Sequence, residues 1–457
     1  MRAFQFALVA TAVLALAVGP DARAQVSLDA SFVGDGRETI SFDLNAAATD
    51  RALRVFPTVG GRYLLAGQAS TQSNQFALAL TRLFPGGNTG GGAQGVDPSF
   101  GVDGKLTIAL GLSPVIDIAQ DSQGRLIVGF HGPAGGGVDV FLTRLLADGS
   151  IDGSFGVGGF ASLGIELIDD LLGLASGPQD EVLALVRSRA AAGIPWNARV
   201  AALDANGLNP KSTLIDVTPE RGTGAIAWSP GRDALLVGYV SGGTPSCVVA
   251  LSDVRLAGAG ATLTLSSNSL IGVSLVGLGG TCASVAVTSV AAIPGSEGAL
   301  VGGHREDPAN PGSLNQHGLM FRWEGPDDAN ISTVAPIAPA TDLFIEAVAV
   351  DTRGRILSAG TSRDGVAQTR RFSLRRYLQN LGDDTGFNAG SPEITTSFIA
   401  SNQQDSPTAS AADLRVIGTR ILVAGASRFQ GATDDDFALA AFTTPDAAMV
   451  FEDGFEE

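Results

Sequence analysis

Four acidic positions carry the strongest chemical suggestion in this chain: Asp50, Asp170 beside Asp169, Glu220 and Asp342. Each stands just before the second strand of a repeated unit, and chain direction alternates between strands, so the loops that hold them fall on one face. Carboxylates that converge can bind a divalent cation or divide the acid and base roles on a glycoside. The same positions can instead serve turns, because Asp opens turns through hydrogen bonds to its own backbone. They recur with the repeat, which favours the turn reading.

Other residues offer less. The histidines are His131, His304 and His317, without an H-E-x-x-H pair or a Cys/His cluster, so a zinc site is not expected. His131 and His304 both follow returning strands and belong to one end of the fold. No G-x-S-x-G elbow presents a serine. Phe100-Gly101-Val102-Asp103-Gly104-Lys105-Leu106 resembles a phosphate loop for a few residues but precedes a strand, not a helix. Asp434-Asp435-Asp436 reads as a solvated run ahead of a strand. Trp196 follows Ile194-Pro195 in a loop and can be exposed, whereas Trp228 sits within a strand and reads as core. No cofactor is expected.

Charge and export signals bound the setting. Acidic residues outnumber basic ones 46 to 29, for a formal net charge of −17. Such a surface repels nucleic acid and anionic lipid. The first residues combine a charged start, an apolar run from Phe6 to Val18 and an Ala22-Arg23-Ala24 site. That order reads as a signal peptide over residues 1–24, cut between Ala24 and Gln25. The apolar run is shorter than the roughly 20 residues a membrane helix needs, so no membrane span is expected after processing. Cys247 and Cys282 are the only cysteines. In an oxidising compartment they are candidates for a disulfide, with two buried thiols as the alternative.

Helical periodicity is nearly absent. Short apolar stretches alternate with clusters of Gly, Asp, Ser and Pro, the pattern of many short strands. The uncharged stretch from Leu256 to Ser296 alternates apolar and small polar residues and reads as buried sheet. A marker recurs: Asp29-Ala30-Ser31-Phe32, Asp97-Pro98-Ser99-Phe100, Asp152-Gly153-Ser154-Phe155 and, weaker, Asp384-Thr385-Gly386-Phe387. Its spacings fit a period of about 60 residues. Each unit also carries a hairpin such as Ile116–Ala119, Asp121-Ser122-Gln123-Gly124, Arg125–Gly129, then a further apolar strand such as Val140–Arg144. Four strands per unit and seven units predict an all-β fold, a seven-bladed β-propeller of four-stranded antiparallel blades over residues 25–444.

The stretches "DPSFGVDGKLTI", "DSQGRLIVG" and "VFLTRLLADGSIDGSFGVGG" resemble the delta-60 repeat of secreted bacterial β-propellers. The match is good in the first three and last two units and poor from about Leu208 to Pro339. The resemblance implies fold and export but no catalytic residue. The acidic end, residues 445–457 with Phe451-Glu452-Asp453-Gly454-Phe455-Glu456, is similar to a short ending on exported proteobacterial proteins and is a candidate sorting signal. The expected function is a secreted, non-catalytic recognition or scaffold module, monomeric, that binds a protein or a glycan. The alternative is a carbohydrate-active hydrolase or lyase with its acids at one mouth of the channel.

Overall fold

The computed structural model describes residues 25–444, apart from 45–48, 73–74, 87–94, 111–113, 217–218, 243–247, 275–284, 308–314, 326–327, 335–339, 352, 366–368, 399–407, 430–431 and 433. The signal segment with Ala24, both cysteines and the acidic tail lie outside the described residues. Gln25 lies inside them and is exposed.

The described chain is all-β. After β1 (Ser27–Leu28) and β2 (Arg37–Ile40), strands follow in antiparallel groups of four. The first group is β3 (Asp50–Thr58), β4 (Arg62–Gln72), β5 (Gln75–Leu83) and β6 (Lys105–Ala109). Next come β7 (Val115–Gln120), β8 (Leu126–Ala134), β9 (Gly137–Leu145) and β10 (Phe160–Ser162), then β11 (Ile168–Ser176), β12 (Val182–Arg189), β13 (Asn197–Leu203) and β14 (Lys211–Asp216). β15 (Pro219–Ser229), β16 (Ala234–Ser241), β17 (Val248–Ala257) and β18 (Thr264–Ser274) form a separate sheet, as do β19 (Val285–Ala292), β20 (Ala299–Glu306), β21 (Gln316–Gly325) and β22 (Asp328–Val334). The last strands are β23 (Ala340–Val350), β24 (Ile356–Asp364), β25 (Arg370–Tyr377) and β26 (Glu393–Thr396), then β27 (Thr408–Ile417), β28 (Arg420–Arg428) and β29 (Asp436–Thr443). Hydrogen bonding divides these into three sheets of four strands, one of eight and one of nine. The two larger sheets are held together by single parallel pairs, Ile168 with Val138 and Arg370 with Thr408.

The first strand of each group contacts the first strand of the next, from β3 through β7, β11, β15, β19 and β23 to β27, and β27 contacts β3. That closes a ring, and the sheets pack face to face around it as a β-propeller. Apolar clusters fill the spaces between neighbouring sheets. Phe56, Leu78 and Leu80 meet Val115, Ile118 and Val128 in one, and Leu422, Ala424 and Leu439 meet Ala52, Val55 and Leu65 in another. The ring is completed by the N-terminal segment: β2 pairs antiparallel with β29, Arg37 opposite Ala440 and Ile40 opposite Phe437. Residues some 400 apart in sequence thus share one sheet.

The repeated marker is a joint. Asp152 accepts hydrogen bonds from the Ser154 N–H at 3.0 Å and hydroxyl at 2.6 Å, and its other oxygen takes Arg144 Nε at 2.8 Å. Arg144 covers the Phe155 ring at 4.9 Å, and Phe155 is fully buried between the β7–β10 and β11–β14 groups. Asp97, Ser99, Arg82 and Phe100 repeat the arrangement. The hairpin expectation also holds: Asp121 accepts the N–H groups of Gln123 and Arg125, and Gly124 takes the left-handed φ of +76° that a side chain would resist.

Small residues of the returning strands let elements approach closely. A Cβ on Gly129 would collide with Leu171 of the next group of strands, whereas one on Gly360 would collide with the Phe344 carbonyl oxygen of its own. The uncharged stretch divides: β19 within it is largely buried, as expected, but β18 is not. β18 is an outermost strand that pairs only with β17, and its residues alternate between exposed and half-buried. Ser, Thr and Asn on an edge strand need no charge to face water, so low charge there did not mark burial.

Candidate functional site

The face that carries the starts of β3, β11 and β23 holds Asp50, Asp169, Asp170 and Asp342, and each of these is engaged by neighbouring groups. Asp50 is 1% exposed, and its Oδ2 accepts the Phe42 N–H at 2.6 Å. Burial pushes its carboxyl up to about 6, against the backbone bonds from Phe42 and Asp43 that favour the ionised form. Asp169 is buried beneath the turn that leads to it and accepts the Ile165 N–H at 3.0 Å; burial likewise raises it to about 6. Asp170 is half-buried, 2.6 Å from Arg187 Nε. Asp342 is fully buried, accepting the Gln316 N–H at 2.7 Å and pairing with Arg363 at 3.1 Å. Glu220 lies in β15, and its side chain is outside the described residues. Asp50, Asp170 and Asp342 sit in different sheets, and none of them lines the central cavity.

His131 sits beside Asp170, with Nε2 at 3.3 Å from Oδ1. The same nitrogen accepts the Leu171 N–H at 3.1 Å, so the ring is held neutral, and burial lowers its pKa further. Trp196 is half-buried, clasped between Arg187 and Arg189 at 4.5 and 4.3 Å from the ring centroid. Trp228 is half-buried: it packs against an apolar cluster, as expected, and also lines the cavity.

The ring of first strands encloses a cavity of about 510 Å³. Its acids are Asp117, Glu346, Asp351 and Asp413, accompanied by Arg54 and Arg415. Sequence reasoning passed over them, although Asp117 and Asp413 each interrupt an apolar strand, which was the available signal.

Most of these groups have structural duties. Every first strand loses register at least once along its length, for example between Val115 and Asp117, Val287 and Ser289, and Ala411 and Asp413. A bulge re-aims the side chain that follows it. Asp117 Oδ2 accepts the Leu174 N–H of the next group of strands at 2.8 Å, Ser289 Oγ accepts the Val348 N–H at 3.1 Å, and Asp413 Oδ2 accepts the Val55 N–H at 2.9 Å. In each case the donor sits at the matching place in the following first strand, one residue past its own bulge. Arg54 also reaches Asp117 at 2.6 Å. Asp351 is buried in its hairpin turn, holding Arg355 at 2.6 Å.

Glu346 is the exception. It is the residue passed over in register between Ile345 and Ala347, so it projects at the bulge into the cavity. Its carboxylate makes no hydrogen bond among the described residues. Burial pushes it up to about 7, partly offset by Arg51.

No family model matches the chain, and no curated protein matches it. Among solved structures, the chain is similar to the β-propeller domain of the Trilobed protease from Pyrococcus furiosus, at 9% identity and TM-score 0.44 over 89% of this chain and 96% of that one. It is also similar to the polysaccharide lyase Uly1, at 10% identity and TM-score 0.36 over 86% and 77%. A third is Sqt1 from Chaetomium thermophilum, at 13% identity and TM-score 0.39 over 89% and 99%. At these identities and TM-scores the likeness carries no inference about activity. No helix among the described residues is long and apolar enough to cross a membrane.

Proposed function

We propose that this chain is an exported, non-catalytic recognition or scaffold module built as a seven-bladed propeller of the delta-60 repeat type. Its working surface is the loop face around Trp196 and its two arginines. The blade count follows from treating the two single parallel pairs as junctions between blades, with β2 serving as the outer strand of the last one. Export rests on the order of charge, apolar run and small-residue site in residues 1–24, and the acidic tail fits a sorting role.

One observation carries the non-catalytic reading. The cavity carboxylates Asp117 and Asp413 accept backbone N–H groups from the following group of strands, and Asp50 and Asp342 on the loop face are held in the same way by the segments around them. A carboxylate that secures the frame is poorly placed to move a proton for a substrate. The test is a glycan array and an envelope extract probed with the processed protein. Saturable capture of a component recovered chemically unchanged is expected; recovery of a cleaved component would overturn the reading.

Glu346 favours a second reading, a hydrolase or lyase acting on a glycan. A buried carboxylic acid with its pKa raised to about 7 is suited to donate a proton at neutral pH. It lacks a second free carboxylate in the cavity among the described residues, and that shortage ranks this reading second.

A further inference from the structure

The seam where the two ends of the chain meet carries unbalanced negative charge. Asp43 lies in the connection from β2 to β3, Asp436 opens β29, and Asp434 stands two residues before it. One carboxylate oxygen from each lies within 4.8 Å of the others. Asp50 backs the group: its N–H donates to the Asp435 carbonyl at 2.7 Å, which fixes it against the Asp434–Asp436 stretch. Its Oδ1 is buried and has no hydrogen-bond partner.

Nearby cations are otherwise engaged. Arg428 pairs with Asp435 at 2.8 Å, and Lys105 Nζ donates to the Ser41 carbonyl at 2.5 Å. The neighbouring segments 45–48 and 430–433 contain no basic residue in sequence. Three carboxylates held this closely, with the buried Asp50 beside them, repel one another unless a proton or a cation bridges them.

We propose that Asp43, Asp434 and Asp436, with the buried Asp50 behind them, form a divalent cation site that clips the N-terminal segment to the last sheet. Ligand oxygens about 2.3–2.6 Å from a calcium ion stand at most about 5 Å apart, and the observed cluster falls within that span. All the donors are hard carboxylate oxygens, which select calcium or magnesium over thiophilic metals. Two ligating segments come from opposite ends of the chain, so a bound ion stabilises ring closure, because the unfolded chain does not assemble the site. This role is independent of what the loop face recognises.

The test uses the full processed chain. Calcium chloride, and in a second arm magnesium chloride, is titrated into EDTA-treated protein by calorimetry, with thermal melts in parallel. Saturable binding of one ion and a melting temperature several degrees higher than in EDTA are expected. The Asp434→Asn/Asp436→Asn variant should lose at least tenfold in affinity and the thermal response. It should also melt no lower than the native chain in EDTA, because the substitutions relieve like-charge repulsion; this separates loss of the ion from failure to fold. Absence of binding to both ions, or a response retained by the variant, would overturn the proposal.

Discussion

Asp413 Oδ2 accepts the N–H of Val55 at 2.9 Å, across the junction where the last hairpin meets the first. The carboxylate is 6% exposed, and the acceptor it supplies is specific to a backbone donor 358 residues away. Asp413→Ala would leave that buried N–H unsatisfied, at a cost of about 1–3 kcal/mol. Asp413→Asn keeps an acceptor and should lose less. Urea unfolding of the two variants checks the order; equal stability of Asp413→Ala and the native chain would refute the latch.

The marker joint makes a pH-dependent prediction. The Ser154 hydroxyl bonded to Asp152, together with Arg144, holds its carboxyl down to about 2. A carboxylate depressed in the folded state contributes stability above its unfolded pKa of about 3.9, and that contribution disappears as pH falls toward the folded value. Asp152→Ala should therefore destabilise by on the order of 2 kcal/mol at neutral pH. The gap between variant and native chain should close between about pH 4 and pH 2. A gap that stays constant across that interval would contradict the assignment.

Several acids have the opposite sign. Asp50 and Asp169 are raised by burial to about 6, Glu346 and Asp436 to about 7, and Glu38 to about 8. Each binds its proton more tightly in the folded chain, so stability falls as pH rises from the unfolded value through the folded one. In metal-free buffer the melting temperature should peak near about pH 4–5 and decline toward pH 8. Glu346→Gln should flatten part of that decline. A maximum at pH 8 would show these carboxyls to be ionised without penalty.

Close approach at the bulges sets a steric prediction. A methyl group on Gly360 would press on the Phe344 carbonyl oxygen, part of the rigid ladder. Gly360→Ala should cost about 1–3 kcal/mol, the usual range for overpacking. By contrast Gly418 has open space around its Cβ position, and Gly418→Ala should cost about 1–2 kcal/mol from its left-handed φ of +60° alone, without a steric part. Chemical denaturation of both variants gives the comparison.

Local chemistry was legible in the sequence, and long-range chemistry was not. The Asp-x-Ser-Phe marker and the Asp121–Gly124 turn could be read because Asp bonds to backbone within a few residues and Gly supplies positive φ. The period carried the strand order. Pairing of β2 with β29 could not be read, since nothing in Arg37–Ile40 names a partner at Phe437–Ala440. The acids Asp50, Asp170 and Asp342 were singled out, yet their partners Phe42, Arg187 and Gln316 became visible only once the chain was folded. Asp434-Asp435-Asp436 read as solvated; Asp434 and Asp436 are instead half-buried, because the β2–β3 connection brings Asp43 against them.

The non-catalytic reading stands or falls on whether any cavity acid turns over a substrate. The direct measurement is product release from neutral and acidic polysaccharides by the native protein and by Glu346→Gln, followed at pH 5 to 8 by reducing ends and by unsaturated-sugar absorbance. No release above the buffer blank is predicted from either protein. Release by the native chain that Glu346→Gln abolishes would contradict the account and make the cavity an active site.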